Sequence, residues 1–407
     1  MKRVLFSLLA LAFCLSACTP AASPTQESEA AALAEETTET AQEETNAAQT
    51  TALSAESLRG DGYLGESDTA WYQMEHELQA DGTLKMQVVK LDYATAQKSV
   101  LYTIEEPATQ VGGAMLRGDT VYAFADQTMY KIPANGGEAQ AVPLGQLFFP
   151  FAADENSAYN FIYDSGSGKN VGFRLDLATG QITDQQLPAQ TWQVWAVGES
   201  RFLLCRLLTE TPLPNAEEAE MYAAAIQNAV CEYDWYDPAT GELEKILEEP
   251  YYGAEQPDGT KRMHRFLGLR DGRLYFSWTV PGEDGTALDA GAESCTLQGQ
   301  DWQAVPGWPQ GQEPIYARLQ NNRLRWVVGY GASGNMVLDL ESGTLCEVAN
   351  ENNATPLAFA GDDRVLLYSV DTDDQENYYE SYALADVDDY LNGTAELTPI
   401  EDAPAEG

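Results

Sequence analysis

Asp176-Leu177-Ala178-Thr179-Gly180 recurs as Asp237-Pro238-Ala239-Thr240-Gly241 and as Asp339-Leu340-Glu341-Ser342-Gly343. Decayed copies stand at Asp92-Tyr93-Ala94-Thr95 and Asn135-Gly136-Gly137. An aspartate at the first place accepts hydrogen bonds from the backbone just ahead of it, and a glycine at the last place supplies a positive φ. Each copy separates two stretches of strand-like composition, so it reads as a hairpin turn. A turn repeated at irregular but similar intervals means that one small β unit is copied along the chain.

Short apolar runs surround these turns from Leu58 to Ile400. Examples are Val121-Tyr122-Ala123-Phe124, Phe202-Leu203-Leu204-Cys205, Leu274-Tyr275-Phe276-Ser277-Trp278, Leu324-Arg325-Trp326-Val327-Val328 and Val365-Leu366-Leu367-Tyr368. A small polar pair precedes each, such as Gly118-Asp119 or Asp271-Gly272, and counting such starts gives seven. Continuous rather than alternating apolar strands are buried on both faces. Each unit reads as four strands, with Asp-x-x-Thr-Gly as the turn from third to fourth. The chain is therefore predicted to be all-β, a β-propeller of about seven four-stranded blades over 58–400. Six or eight blades and a pair of β-sandwiches are the alternatives. The turn resembles that of TolB-like, WD40-like and quinoprotein-like propellers. The flanking tryptophans of the quinoprotein repeat are missing, so that resemblance implies the fold and not its cofactor.

Met1-Lys2-Arg3 leads into an apolar run from Val4 to Leu15, too short for a permanent span, followed by Leu15-Ser16-Ala17-Cys18. This segment resembles the signal and lipobox of bacterial lipoproteins. The resemblance implies that 1–17 are removed, that Cys18 carries acyl chains such as palmitate, and that the protein sits on the extracytoplasmic face of the cell membrane. From Cys18 to Ser57 the chain is rich in Ala, Glu, Thr, Gln and Ser, without Lys, and reads as a disordered acidic tether. Residues 401–407 read as a disordered acidic tail.

The chain has 22 basic and 64 acidic residues, a net charge of −42 that falls to −44 when Lys2 and Arg3 leave with the leader. Such a charge excludes nucleic acid as a natural partner and argues against lying flat on anionic lipid. Catalytic motifs are absent. There are two histidines, His76 and His264, no Gly-x-Ser-x-Gly, and no His/Cys cluster with zinc spacing. Asp371, Asp373, Asp374 and Glu376, with Asp386, Asp388 and Asp389, have the oxygen chemistry for calcium. The helix-loop-helix pattern fails, because its sixth and twelfth places hold Glu376 and Tyr382. An irregular calcium site stays open against a plain acidic loop, and no other cofactor is predicted. Of the cysteines beyond Cys18, Cys205 and Cys231 fall on consecutive strands of one unit, bonded or free; Cys295 and Cys346 read as core.

Loop length carries the remaining information. In four-stranded blades the first-to-second and third-to-fourth connections share one face, and these are short. The other face receives the long segments 209–227, 251–262, 281–291, 307–313 and 371–377, where function usually lies. Asn215 and Glu218 could cap a helix with Met221, Ala225 and Ile226 as its apolar stripe. Tyr251, Tyr252 and Trp308 are loop aromatics of the kind that anchor interfaces. Lys261, Arg262, His264 and Arg265 form the densest basic cluster, able to hold an anionic group or to neutralise Glu217, Glu218 and Glu220. These residues make the candidate binding face of a lipid-anchored binding or scaffold module for a protein, small-molecule or glycan ligand. The competing readings are a propeller enzyme acting on carbohydrate or peptide, and a structural member of an envelope assembly.

Overall fold

A computed structural model describes residues 65–403, except 68, 80, 154–155, 165–168, 198–200, 211–218, 239, 252–253, 256–260, 282–286, 321–322, 332–333, 350–353, 361–362 and 373–377. The leader, Cys18 and the tether lie outside the described residues. Seven antiparallel sheets follow one another in chain order and form a seven-bladed β-propeller. Blade 1 holds Ala70–Leu78, Leu84–Asp92 and Gln97–Ala108, with a short inner pairing at Glu66 and Trp71. Blade 4 holds Thr191–Val197, Arg201–Leu208, Val230–Tyr236 and Leu243–Pro250. Blade 5 holds Lys261–Arg270, Arg273–Pro281, Ala287–Thr296 and Gln303–Ala304, with Ala254–Glu255 paired onto its first strand.

The repeated turn does what its residues require. In the first copy the Asp176 carboxylate accepts from Thr179 N and Thr179 Oγ1, both at 2.8 Å, while Gly180 N donates to Asp176 O. Gly180, Gly241 and Gly343 have φ of 77°, 77° and 71°. At the decayed copy Asp92 accepts from Thr95 in the same way, but Ala96 occupies the glycine place with φ 53°.

Both faces of the second strands are buried. Leu324, Trp326, Val327 and Val328 are each fully buried. Val327 packs into the core between blades 5 and 6, while Trp326 and Val328 pack into the core between blades 6 and 7. Similar clusters fill the junctions between blades 1 and 2, 2 and 3, and 3 and 4, and a further one joins blade 7 to blade 1. Arginines add polar staples from one blade to the next: Arg117 donates to Ala153 O, Arg270 to Leu324 O and Arg318 to Pro356 O.

The ring closes on a parallel contact. Glu401 and Asp402 pair with Gln97 and Lys98 at the outer edge of blade 1, and Lys98 Nζ bridges Glu75 at 3.2 Å and Asp402 at 3.1 Å. The boundary expected at Ile400 therefore lies too early, because the edge of blade 1 offers free ladder groups to the next residues. The short-turn face also has one exception. In blade 7 the third-to-fourth connection, 387–397, carries the helix Val387–Leu391.

Left-handed geometry should set the cost of substitutions at the repeated turn. Ala96→Gly should stabilise by about 0.5–1 kcal/mol, because it removes a Cβ from a positive φ. Gly241→Ala should cost about 1–2 kcal/mol for φ alone. Gly180→Ala should cost more, since its Cβ would also stand 2.5 Å from Val142 Cγ1. Urea midpoints of the three variants check the order.

Candidate functional site

Strand direction assigns every connection to a face, and the face opposite the Asp-x-x-Thr-Gly turns is the elaborated one. On that side the chain leaves blade 4 strands at Leu208 and Pro250 and re-enters strands at Val230 and Lys261, and it leaves blade 5 at Ala304 and enters blade 6 at Pro314. Connection 282–286 is shorter than expected, because the strands of blade 5 run on to Pro281 and resume at Ala287. Among the described residues eleven large hydrophobics are exposed, and seven stand on this face: Leu78, Phe149, Phe151, Trp192, Met221, Leu288 and Tyr330. The other four lie on outer strands or in 387–397. Large apolar side chains left in water are thus concentrated on one side of a strongly acidic molecule.

The expected helix forms at Ala219–Ile226. Ile226 is buried against Leu207 and Ala229, with Tyr251 packed alongside. Met221 points the other way and is 55% exposed, so it does not belong to the apolar stripe. Asn215 and Glu218 lie outside the described residues. Tyr251 is half-buried, and its ring meets Trp192 at 5.8 Å and 48°. Tyr252 lies outside the described residues.

Trp308 is a core residue, not a loop anchor. A turn between Val305 and Trp308 folds the indole inward, where it packs with Val327, Met336 and Leu338 and donates to Gln312 O at 2.8 Å. Only 9% of it is exposed. Proline on both sides of Gly307-Trp308 suggested an exposed loop, yet the short connection folds straight back over the junction between blades 5 and 6.

The basic cluster divides by strand parity. Lys261 and Arg265 are exposed, whereas Arg262 and His264 turn toward the junction between blades 4 and 5. The His264 ring is clamped between carboxylates, Nδ1 to Glu249 at 2.6 Å and Nε2 to Glu293, and its backbone N–H donates to Glu249 Oε1 at 2.8 Å. Arg262 lies 4.1 Å over the Trp278 ring and 4.0 Å from Glu293. Gly291 makes room for that tryptophan, since a Cβ there would strike its ring. Burial alone would push the His264 pKa down, but hydrogen bonds and charge from Glu249 and Glu293 raise it to about 9. The result is one buried and one part-buried carboxylate, Glu249 and Glu293, set beside two cations. The compensating acids are thus Glu249 and Glu293; Glu217 and Glu218 lie outside the described residues. Neither acid was marked in the sequence, because nothing distinguishes two carboxylates among 64.

Beside this clamp Cys205 and Cys231 are both free. A hydrogen bond with Cys231, and then burial, push the Cys205 thiol well above its usual range. Cys295 is buried, and Cys346 only half so.

The calcium reading finds no support among the described residues, which contain no cluster of three or more metal-ligating side chains. Asp386 is the N-cap of Val387–Leu391, its carboxylate accepting from Asp388 N and Asp389 N. Asp371 falls at the end of Arg364–Thr372, while Asp373, Asp374 and Glu376 lie outside the described residues.

No family model and no curated protein matches the chain. Among solved structures it is similar to an oligogalacturonate lyase in complex with manganese, at 16% identity over 76% of this chain and 95% of that one, TM-score 0.37. It is similar to a puromycin-hydrolyzing peptidase of Mycobacterium tuberculosis, at 14% identity over 87% of this chain, TM-score 0.46, and spans 56% of that protein's length. It is also similar to TolB from Acinetobacter baumannii, at 10% identity over 80% of this chain and 78% of that one, TM-score 0.35.

The clamp should make stability depend on alkaline pH. Because the folded pKa of His264 lies above its unfolded value, its proton stabilises fully below about pH 6.5, and the gain is lost as pH rises through about 9. The loss should reach roughly 3 kcal/mol at most, measured by urea denaturation at pH 6 and pH 9.5. His264→Gln should be less stable at pH 6 and should show a flatter profile. Trp308→Ala should cost about 3–5 kcal/mol as a core truncation, whereas an interface anchor would leave the thermal midpoint nearly unchanged.

Proposed function

We propose that the chain is a lipid-anchored, extracytoplasmic propeller that binds a protein partner through its loop-rich face. One observation carries the reading: the long connections of blades 4 and 5 and seven of the eleven exposed large hydrophobics stand on the same side. The fold accounts for the opposite face, whose Asp-x-x-Thr-Gly turns serve the hairpins. It does not account for solvent-facing Trp192, Phe149 and Leu288. Leu15-Ser16-Ala17-Cys18 supports the anchor, with the tether holding the domain away from the bilayer. The negative charge favours a partner with a basic surface and fast, salt-sensitive association.

Affinity capture of the full-length protein from native membranes tests this. A stoichiometric protein should copurify, and shortening 209–227 should remove it; the loss of buried Ile226 should lower the thermal midpoint while the β-sheet circular dichroism signal is kept. Retention of the partner by the shortened protein would overturn the face assignment, and turnover of a glycan or peptide panel would favour an enzyme. Cys18→Ala should release the protein into the soluble fraction; continued membrane attachment would sink the anchor.

A further inference from the structure

Trp192 is the second residue of the innermost strand of blade 4, and its pairing with Arg201–Leu208 slips between Thr191 and Gln193. It is therefore a bulged residue. Bulges stand on the inner strands of blades 2, 5, 6 and 7 as well, around Gly112, Leu267, Ile315 and Leu357. At those places the bulged residue is buried or half-buried, and Leu267 and Leu357 pack onto neighbouring cores. Trp192 alone among these five is exposed, at 44%. The same backbone device that elsewhere packs a side chain here holds an indole in water.

The backbone below it is fixed firmly. Gln190 has φ 60°, a conformation unfavourable for a residue with a Cβ. Its side-chain amide donates to Thr209 O at 3.1 Å and Thr209 Oγ1 at 2.8 Å, and its carbonyl accepts from Leu207 N at 3.0 Å. Thr191 Oγ1 donates to Pro188 O at 2.7 Å. Tyr251, seated on the core under the helix, meets the Trp192 ring. A positive φ at a residue with a Cβ and an apolar ring left in solvent both cost stability, and such features gather at functional positions.

The surroundings select the ligand chemistry. The chain carries a net charge of −42; Arg206, which pairs opposite Thr191, is held by Asp234 and Glu232, and Arg262 and His264 of blade 5 are engaged by Glu249, Glu293 and Trp278. An exposed indole face in a negative field attracts cations. We propose that Trp192, backed by Tyr251, holds an arginine or lysine side chain of the protein partner by cation–π contact. This rests on the binding-face reading and adds the chemistry of its centre.

Fluorescence anisotropy with labelled triarginine amide, and with tricitrulline amide as its neutral isostere, tests the assignment. The full-length protein is used in detergent at about 0.5 M NaCl, where general attraction is screened within a few ångströms. Wild type and Trp192→Phe should bind triarginine, with Trp192→Leu about fivefold weaker. Tricitrulline should bind wild type at least tenfold more weakly than triarginine. Equal binding by Trp192→Leu and wild type overturns the proposal. So does equal binding of the two peptides by wild type, an arm that needs no variant to fold. If shortening 209–227 abolishes partner capture while Trp192→Leu binds triarginine like wild type, the face reading stands and the cation reading falls. If triarginine binding depends on Trp192 but the shortened protein keeps its partner, the reverse holds.

Discussion

Every blade depends on a second strand that is buried on both sides. Trp326 and Val328 face one neighbour while Val327 faces the other, so a single run of apolar residues belongs to two cores at once. Trp326 stacks on Phe359 of blade 7 at 4.2 Å between ring centroids, which makes the junction an aromatic contact rather than a loose interface. No blade can bury its faces alone, and the arrangement is satisfied only when the ring is complete. That requirement explains the final step of the chain. Ile400 packs into the core between blades 7 and 1, and the next two residues pair with blade 1 and meet Lys98.

Local chemistry made this architecture legible. An Asp-Thr-Gly turn is specified within five residues, and continuous apolar strands separate a stacked sheet from one with a wet face. The same rules failed where side chains act across blades. Trp308 looked like a loop residue because its neighbours are Pro306, Gly307 and Pro309, but its surroundings come from blade 6. Arg262, His264 and Arg265 looked like one basic patch until strand parity and packing separated the inward pair from exposed Arg265. Trp192 was hidden for a different reason. A bulge breaks the two-residue alternation from which the facing of a strand residue is read.

Charge distribution links the interior to the surface. With about three acids per basic residue, a buried carboxylate must be matched by a nearby cation or a proton. At the junction of blades 4 and 5, Glu249 and Glu293 take His264 and Arg262; on the other side of blade 4, Arg206 pairs with Asp234 at 2.7 Å and with Glu232. A pair left half-complete would leave an uncompensated buried charge, which costs more than the pair itself contributes. His264 thus ties blade 4 to blade 5, whereas Arg206 and Arg262 are engaged by acids and a tryptophan of their own blades.

The two faces of the propeller then obey different constraints. Turns from third to fourth strand must reverse the chain tightly at fixed separation, so most copies keep the same five-residue solution. Connections on the other face, from second to third strand and from one blade to the next, must only span a gap, and their length is free within the modest entropy of a longer loop. Blade 4 uses that freedom most. Its helix seats Tyr251, Tyr251 meets Trp192, and Gln190 ties the start of the inner strand to Thr209 at the end of the second. These contacts run from elaborated loop to exposed indole without passing through the cores between blades, so side chains at this corner can change without changing the fold that carries them.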